Sequence, residues 1–168
     1  MRSRAPLFAT AAVLGSLFAA SCGSTPTAPT EGDPLTLVAR VSVPSIPPGG
    51  SAEATFTLSN VSTRKVIVGF PSSCHVLPYV REHDTQRLVH PAGTGYGCAT
   101  VVTSLNLEPG QSVVQTLQIV STGRGATSGI ASIVDLLPGD YSVYAEVDAS
   151  MDGRPFSLRS NALPFSVQ

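Results

Sequence analysis

Three cysteines, three histidines and a thin scatter of hydroxyls and carboxylates are the residues of this chain able to do covalent, acid–base or metal chemistry. A catalytic serine needs a base beside it and a third group to orient that base. Ser128 sits in Gly125-Ala126-Thr127-Ser128-Gly129, which misses the G-x-S-x-G spacing and has no strand-to-helix elbow around it. His83-Asp84 falls in a turn signal, where neighbours in sequence point apart into solvent. His75, His83 and His90 lie in or beside one hairpin region, but no H-x-H, H-E-x-x-H or C-x-x-C spacing organises them around a metal. Asp148, Asp152 and Gly153 lack the ligand series of a calcium loop, and Asp152-Gly153 reads more simply as a hairpin turn. Gly93, Gly95 and Gly97 form a G-x-G-x-G run with no helix after it to hold a phosphate, so it reads as a flexible loop. The expectation is a protein with no catalytic residue, no cofactor and no metal site, and therefore not an enzyme.

The cysteines carry the stronger signal. The chain opens with Arg2 and Arg4, continues with an apolar run from Leu7 to Ala20, and reaches Ala19-Ala20-Ser21-Cys22. A basic start, a short apolar stretch and small residues before a cleavage point describe a secretory leader. The run is too short to span a bilayer, which needs roughly 20 apolar residues. Small residues ahead of a cysteine resemble the bacterial lipobox, which implies acylation of Cys22 and a membrane anchor. The plainer alternative is ordinary cleavage near Ala20, with Cys22 an unmodified thiol. An odd cysteine count in an exported chain needs an explanation. Anchoring Cys22 leaves Cys74 and Cys98 as a pair that an oxidising compartment would join. Two buried free thiols are the competing reading.

Three segments follow: a lipoprotein leader over residues 1–21, a lipidated start and tether over 22–34, and a folded domain over 35–168. The tether, Gly23 to Pro34, has no apolar residue larger than alanine or proline and cannot offset the entropy of ordering. Gly23 and Ser24 lack the aspartate associated with inner-membrane retention, so a host with two membranes would place the chain at the outer one. The expected address is periplasmic or cell-surface. Loss of the leader removes Arg2 and Arg4 and leaves 8 basic against 11 acidic residues, a formal charge of −3. No basic stripe remains, which excludes nucleic acid as a partner.

From Leu35 onward the apolar period is two. Leu35, Leu37, Ala39, Val41 and Val43 share one face, and Ala52, Ala54, Phe56 and Leu58 alternate with polar residues. Strands are expected over Lys65–Phe70, over Leu77–Glu82 and Arg87–His90 around a His83–Gln86 turn, and over Ala99–Leu107 and Ser112–Val120 around Glu108–Gln111. Tyr141, Val143, Ala145 and Val147 share a face, and a last strand runs near Phe156 to Val167, with Leu163, Phe165 and Val167 inward. The pattern predicts an all-β, antiparallel, immunoglobulin-like β-sandwich of about seven to nine strands. Tyr141 after Pro138-Gly139-Asp140 suits a tyrosine corner, unless it merely packs.

Ala54-Thr-Phe56-Thr-Leu58-Ser-Asn60 followed by Lys65–Phe70 resembles the opening of the BsuPI-type proteinase-inhibitor domain. Tyr79-Val80-Arg81-Glu82, Leu107-Glu-Pro109-Gly110-Gln111-Ser112 and Leu137-Pro138-Gly139-Asp140-Tyr141-Ser142-Val143 are similar to that family's later hairpin, turn and strand. The likeness covers residues 52 to 148. It implies the sandwich fold and, through the family's name, a protease as partner.

Two loops are candidates for binding. A binding loop must be held near its bound shape, because ordering it on association costs affinity. Ser121–Ser132 exposes Arg124, but Gly123, Gly125 and Gly129 make it a poor rigid mimic of a substrate. The hairpin region between Cys74 and Cys98, with Tyr79, His83, Arg87 and Tyr96, is the better candidate for gripping a protein partner; otherwise Cys74–Cys98 only staples a connection. The alternative function is structural, as an accessory lipoprotein of a cell-envelope assembly. Carbohydrate binding is disfavoured by the absence of tryptophan.

Overall fold

The computed structural model describes residues 33–93, 95–122 and 132–168. The leader, Cys22, nearly all of the tether, and the loop stretch with Arg124 and Ser128 lie outside the described residues. The described residues form strands throughout: β1 (Leu35–Val41), β2 (Ser45–Ile46), β3 (Ser51–Asn60), β4 (Val66–Phe70), β5 (Leu77–Glu82), β6 (Leu88–His90), β7 (Thr103–Leu107), β8 (Ser112–Val120), β9 (Ile133–Asp135), β10 (Gly139–Met151), β11 (Arg154–Arg159) and β12 (Leu163–Val167). One sheet runs β1-β3-β8-β9. The other is organised around β10, which pairs with β12 and β11 along one side and with β5 and β4 along the other. β7 lies outside β4, β6 outside β5, and β2 outside β12.

The period-two pattern builds the interior. Ala54, Phe56 and Leu58 of β3 and Val143, Ala145 and Val147 of β10 are fully enclosed, and Leu117, Ile119, Val68 and Val80 join them from neighbouring strands. Each strand gives alternate side chains to one shared apolar layer, as two packed sheets require. The tyrosine corner is present: the Tyr141 hydroxyl donates to the Leu137 carbonyl at 2.8 Å, and its ring stacks on Phe165 at 5.6 Å.

Three expectations need correction. There are twelve strands among the described residues, not about seven to nine, and the pairings β2·β12 and β8·β9 are parallel. β2 and β9 are two and three residues long and arrive by connections from elsewhere, not by hairpins, so no turn signal marks them. The first strand stops at Val41, and the chain crosses to the other sheet at Pro44; Val43 is therefore exposed, not inward.

The expected single strand over Phe156–Val167 is split. Ser160 still pairs with Ala145, but Leu163 pairs with Val143, so Asn161 and Ala162 together oppose Tyr144. This is a β-bulge. It turns the Asn161 amide onto the edge of β1, where Oδ1 accepts from Ala39 N at 2.9 Å and Nδ2 donates to Ala39 O at 3.3 Å. One side chain thus stands in for a neighbouring strand and stitches the two sheets together.

Tyr144 alternates with the inward residues of β10 and yet is buried. It is 1 % exposed on the outer side of β10, beneath a second layer of aromatic and cationic side chains.

Candidate functional site: a disulfide-closed hairpin

That second layer is built by the segment between the paired cysteines. Cys74 and Cys98 are disulfide-bonded, with Cα atoms 5.6 Å apart, and enclose the whole β5–β6 hairpin. Tyr79, on the outer face of β5, stacks on Tyr144 at 5.3 Å because the two are direct cross-strand partners. Tyr96, returning from β6, sets its edge against Tyr79 at 5.9 Å and lies 5.6 Å from the His90 ring. The Tyr96 hydroxyl donates to the Pro78 carbonyl, and burial raises its pKa well above the ordinary tyrosine range. Burial also raises Tyr79, with the negative charge of Glu146 adding to the effect. Arg159 and Arg81 place guanidinium groups 3.9 and 5.4 Å from the Tyr144 ring centre, in cation–π range. The layer roots the hairpin to the sheet.

The tip is different. Residues 83–88 are all exposed. Glu82 N donates to Arg87 O at 3.0 Å and Gln86 N to Glu82 O at 3.1 Å, with Gln86 at a φ of 57°. Side chains brace the same turn. The Glu82 carboxylate accepts from Thr85 Oγ1 at 2.5 Å and from Arg87 Nε at 3.1 Å, and Gln86 Nε2 donates to the His83 carbonyl at 2.6 Å. Arg87 holds Glu82 below the usual carboxylate range, with the Thr85 hydroxyl helping. His83 N donates to Asp140 O at 2.9 Å, which ties the tip to the start of β10. The turn expected at His83–Gln86 is thus present and held by its own side chains. Beside it lies an open groove of about 450 Å³, lined by Arg87, Leu88 and Ala92 on one side and Leu136, Leu137 and Pro138 on the other.

The four candidate residues therefore fall into two pairs. Tyr79 and Tyr96 are half-buried and anchor the hairpin, whereas His83 and Arg87 stand at its tip. Tyr144, Arg81 and Arg159 belong to the anchoring layer but are not among the candidate binding residues. Alternation along β10 sets Tyr144 on the face opposite Val143 and Ala145, and the disulfide-closed segment covers it there.

The three histidines go to three environments. His75 packs on Phe70 at 4.3 Å and bonds Thr103 Oγ1 at 2.9 Å. His83 is at the tip, and His90 is buried beside Tyr96. Among the described residues no three metal-ligating side chains come together. Asp152 and Gly153 are a two-residue hairpin turn, both at positive φ, joining β10 to β11. Gly93 and Gly95 also have positive φ and lie in the loop after β6.

Burial lowers the pKa of His90, whose Nε2 has no hydrogen-bond partner among the described residues, and lowers that of His75. A histidine depressed in the fold binds its proton more readily in the unfolded chain, so stability is full above the unfolded value of about 6.5 and falls as pH drops through it. Thermal melts between pH 8 and 5 should show a falling melting temperature, with a shallower slope in His90→Phe. Equal slopes in the two proteins would remove His90 as the cause.

No family model matches the chain, and no curated protein matches it. It is similar to solved structures of a β-glucosidase from Erythrobacter marinus (13% identity, TM-score 0.39), the sporulation control protein Spo0M from Bacillus subtilis (10%, 0.42) and the ApaA protein from Bordetella pertussis (15%, 0.46). The matches cover 76%, 81% and 80% of this chain, and 15%, 50% and 95% of those chains respectively. The chain thus spans about a seventh of the glucosidase and half of Spo0M. Nothing of what those proteins do is carried over at this level of likeness.

Proposed function

We propose that this chain is a non-enzymatic binding module, exported and held at a membrane by lipid on Cys22, which grips a protein partner with the tip of its β5–β6 hairpin. The observation that supports this reading is the contrast along the hairpin. Its root is fixed by a disulfide and an aromatic layer, while six consecutive residues at its tip are exposed yet internally hydrogen-bonded. A loop already held in one shape loses little entropy on binding. Leu88 and Leu137, 42 % and 51 % exposed, give the adjoining groove apolar contacts for a partner side chain.

Proteinase inhibition is the specific version that the BsuPI resemblance suggests. The test is a panel of serine, cysteine and metalloproteases, assayed with the native chain and with an Arg87→Ala, Leu88→Ala variant. Inhibition weakened at least tenfold in the variant is the expected result. Native chain inert against the whole panel discards the inhibitor version. Unchanged capture of envelope proteins by the tip variant, after crosslinking in cells, would favour the structural accessory reading.

A further inference from the structure

A sheet edge offers unpaired backbone groups to any passing strand, and folded proteins shorten, charge, kink or cover such edges. Most edges here are defended. Asn161 occupies Ala39 on β1. β2, β6 and β9 have two or three residues, and β6 sits beside a register shift. β11 carries Arg154, Pro155 and Arg159.

β7 is the exception. It has five residues, Thr-Ser-Leu-Asn-Leu, with no charge and no proline. It pairs with β4 on one side, and among the described residues no strand pairs with the other. Among the described residues, only its last carbonyl, that of Leu107, is taken up by a side chain, the amide of Asn60. Val101 and Val102, just before it, are 50 % and 82 % exposed.

We infer that β7 is a docking edge for a second copy of this chain, paired antiparallel about a two-fold axis at Leu105. The argument for this occupant is self-complementarity. Directly opposed residues in a ladder share a face, so a two-fold pairing must match residues whose numbers sum to an even total. Centring on Leu105 uses all five residues. Exposed Ser104 then faces Asn106 of the second copy, and the core-side Thr103, Leu105 and Leu107 face Leu107, Leu105 and Thr103. Every opposed pair within β7 is uncharged. The same register brings exposed Val101 and Val102, which precede β7, to the end of the second copy's β7, where Glu108 begins the turn. The Lys65–Glu108 ion pair, at 2.9 Å, leaves no isolated charge at that end.

The register makes an unusual demand of charge. Ser104 and Asn106 are both exposed, so substitutions there leave the core alone. Two lysines, S104K with N106K, meet lysines of the other copy twice. A lysine and a glutamate, S104K with N106E, meet their opposites twice. The exported full chain, purified in mild detergent, is sedimented over a concentration series in all three forms, with circular dichroism confirming the fold. The native chain should form a concentration-dependent dimer. The double-lysine form should associate about tenfold more weakly, and the lysine–glutamate form at least as tightly as native. A native chain that stays monomeric throughout, or three forms that sediment alike, overturns the proposal.

Discussion

Replacing both Cys74 and Cys98 by serine should lower the unfolding free energy by about 3–4 kcal/mol, from chain-entropy arithmetic for a closed loop of this length. The sequence separation is 24, and the closed segment contains β5, β6 and the return through Tyr96. The loss acts largely through the unfolded chain, which gains freedom when the link is cut. Urea titration is the measurement: the midpoint should fall, and the slope should stay level or rise as the unfolded chain expands. A second readout tests the local claim. Tyr96 holds its phenol proton above the ordinary range because the closed segment buries it against Tyr79 and Pro78. Ultraviolet titration of the serine variant should show that tyrosine moving back toward the ordinary value of about 10. A loss under about 1 kcal/mol, with Tyr96 unmoved, would mean the aromatic layer holds the hairpin without the disulfide.

Serine at both positions also tests the binding proposal, since it loosens the root and leaves residues 83–88 unchanged in sequence. Partner binding should weaken although no contact residue is altered. Such a loss without a changed contact is the mark of a loop whose shape was set beforehand.

What could be read in the residues follows from how local the physics is. Alternation in β3, with Ala52, Ala54, Phe56 and Leu58 inward, is local, and each of the four is buried. The Cys74–Cys98 pair was legible only through counting, and the tyrosine corner only through its proline-glycine approach. The bulge at Asn161 was not legible, because its cause is an edge strand more than a hundred residues earlier. The burial of Tyr144 was not legible for the same reason. Period two says which side of a sheet a residue is on, but not whether another segment returns to cover that side. In the candidate site, His83 reads as a turn residue and Arg87 as the start of the returning strand, which begins one residue later, at Leu88; that Glu82 and Gln86 lock the turn depends on side-chain geometry that a sequence does not display.

The other large effect is expected at Asn60, which no part of the sequence reading marked beyond its place at a strand end. It is 1 % exposed and uses its whole amide: Nδ2 donates to the Arg64 and Leu107 carbonyls at 2.8 Å each, and Oδ1 accepts from Ser62 N at 2.9 Å and Ser62 Oγ at 2.7 Å. Its backbone N and O are bonded to Gln111 and Gly110, both at 2.9 Å. One residue thus fixes the β3–β4 connection, the end of β7 and the β7–β8 turn, and so joins the two sheets at one end of the sandwich. Asn60→Ala would strand the Leu107 carbonyl in the interior, a loss of about 1–3 kcal/mol, and break three more bonds that water can partly replace. The sum is about 3–5 kcal/mol, in the range reserved for a broken buried network. Asn60→Asp should do no better, because it offers an acceptor where two carbonyls need donors. Ser112→Ala, which removes only the exposed bond to Ser59 at 2.8 Å, should change stability by less than about 0.5 kcal/mol. Chemical denaturation of the three variants decides the matter, and an alanine variant within 1 kcal/mol of native would show that the two sheets are held together without this amide.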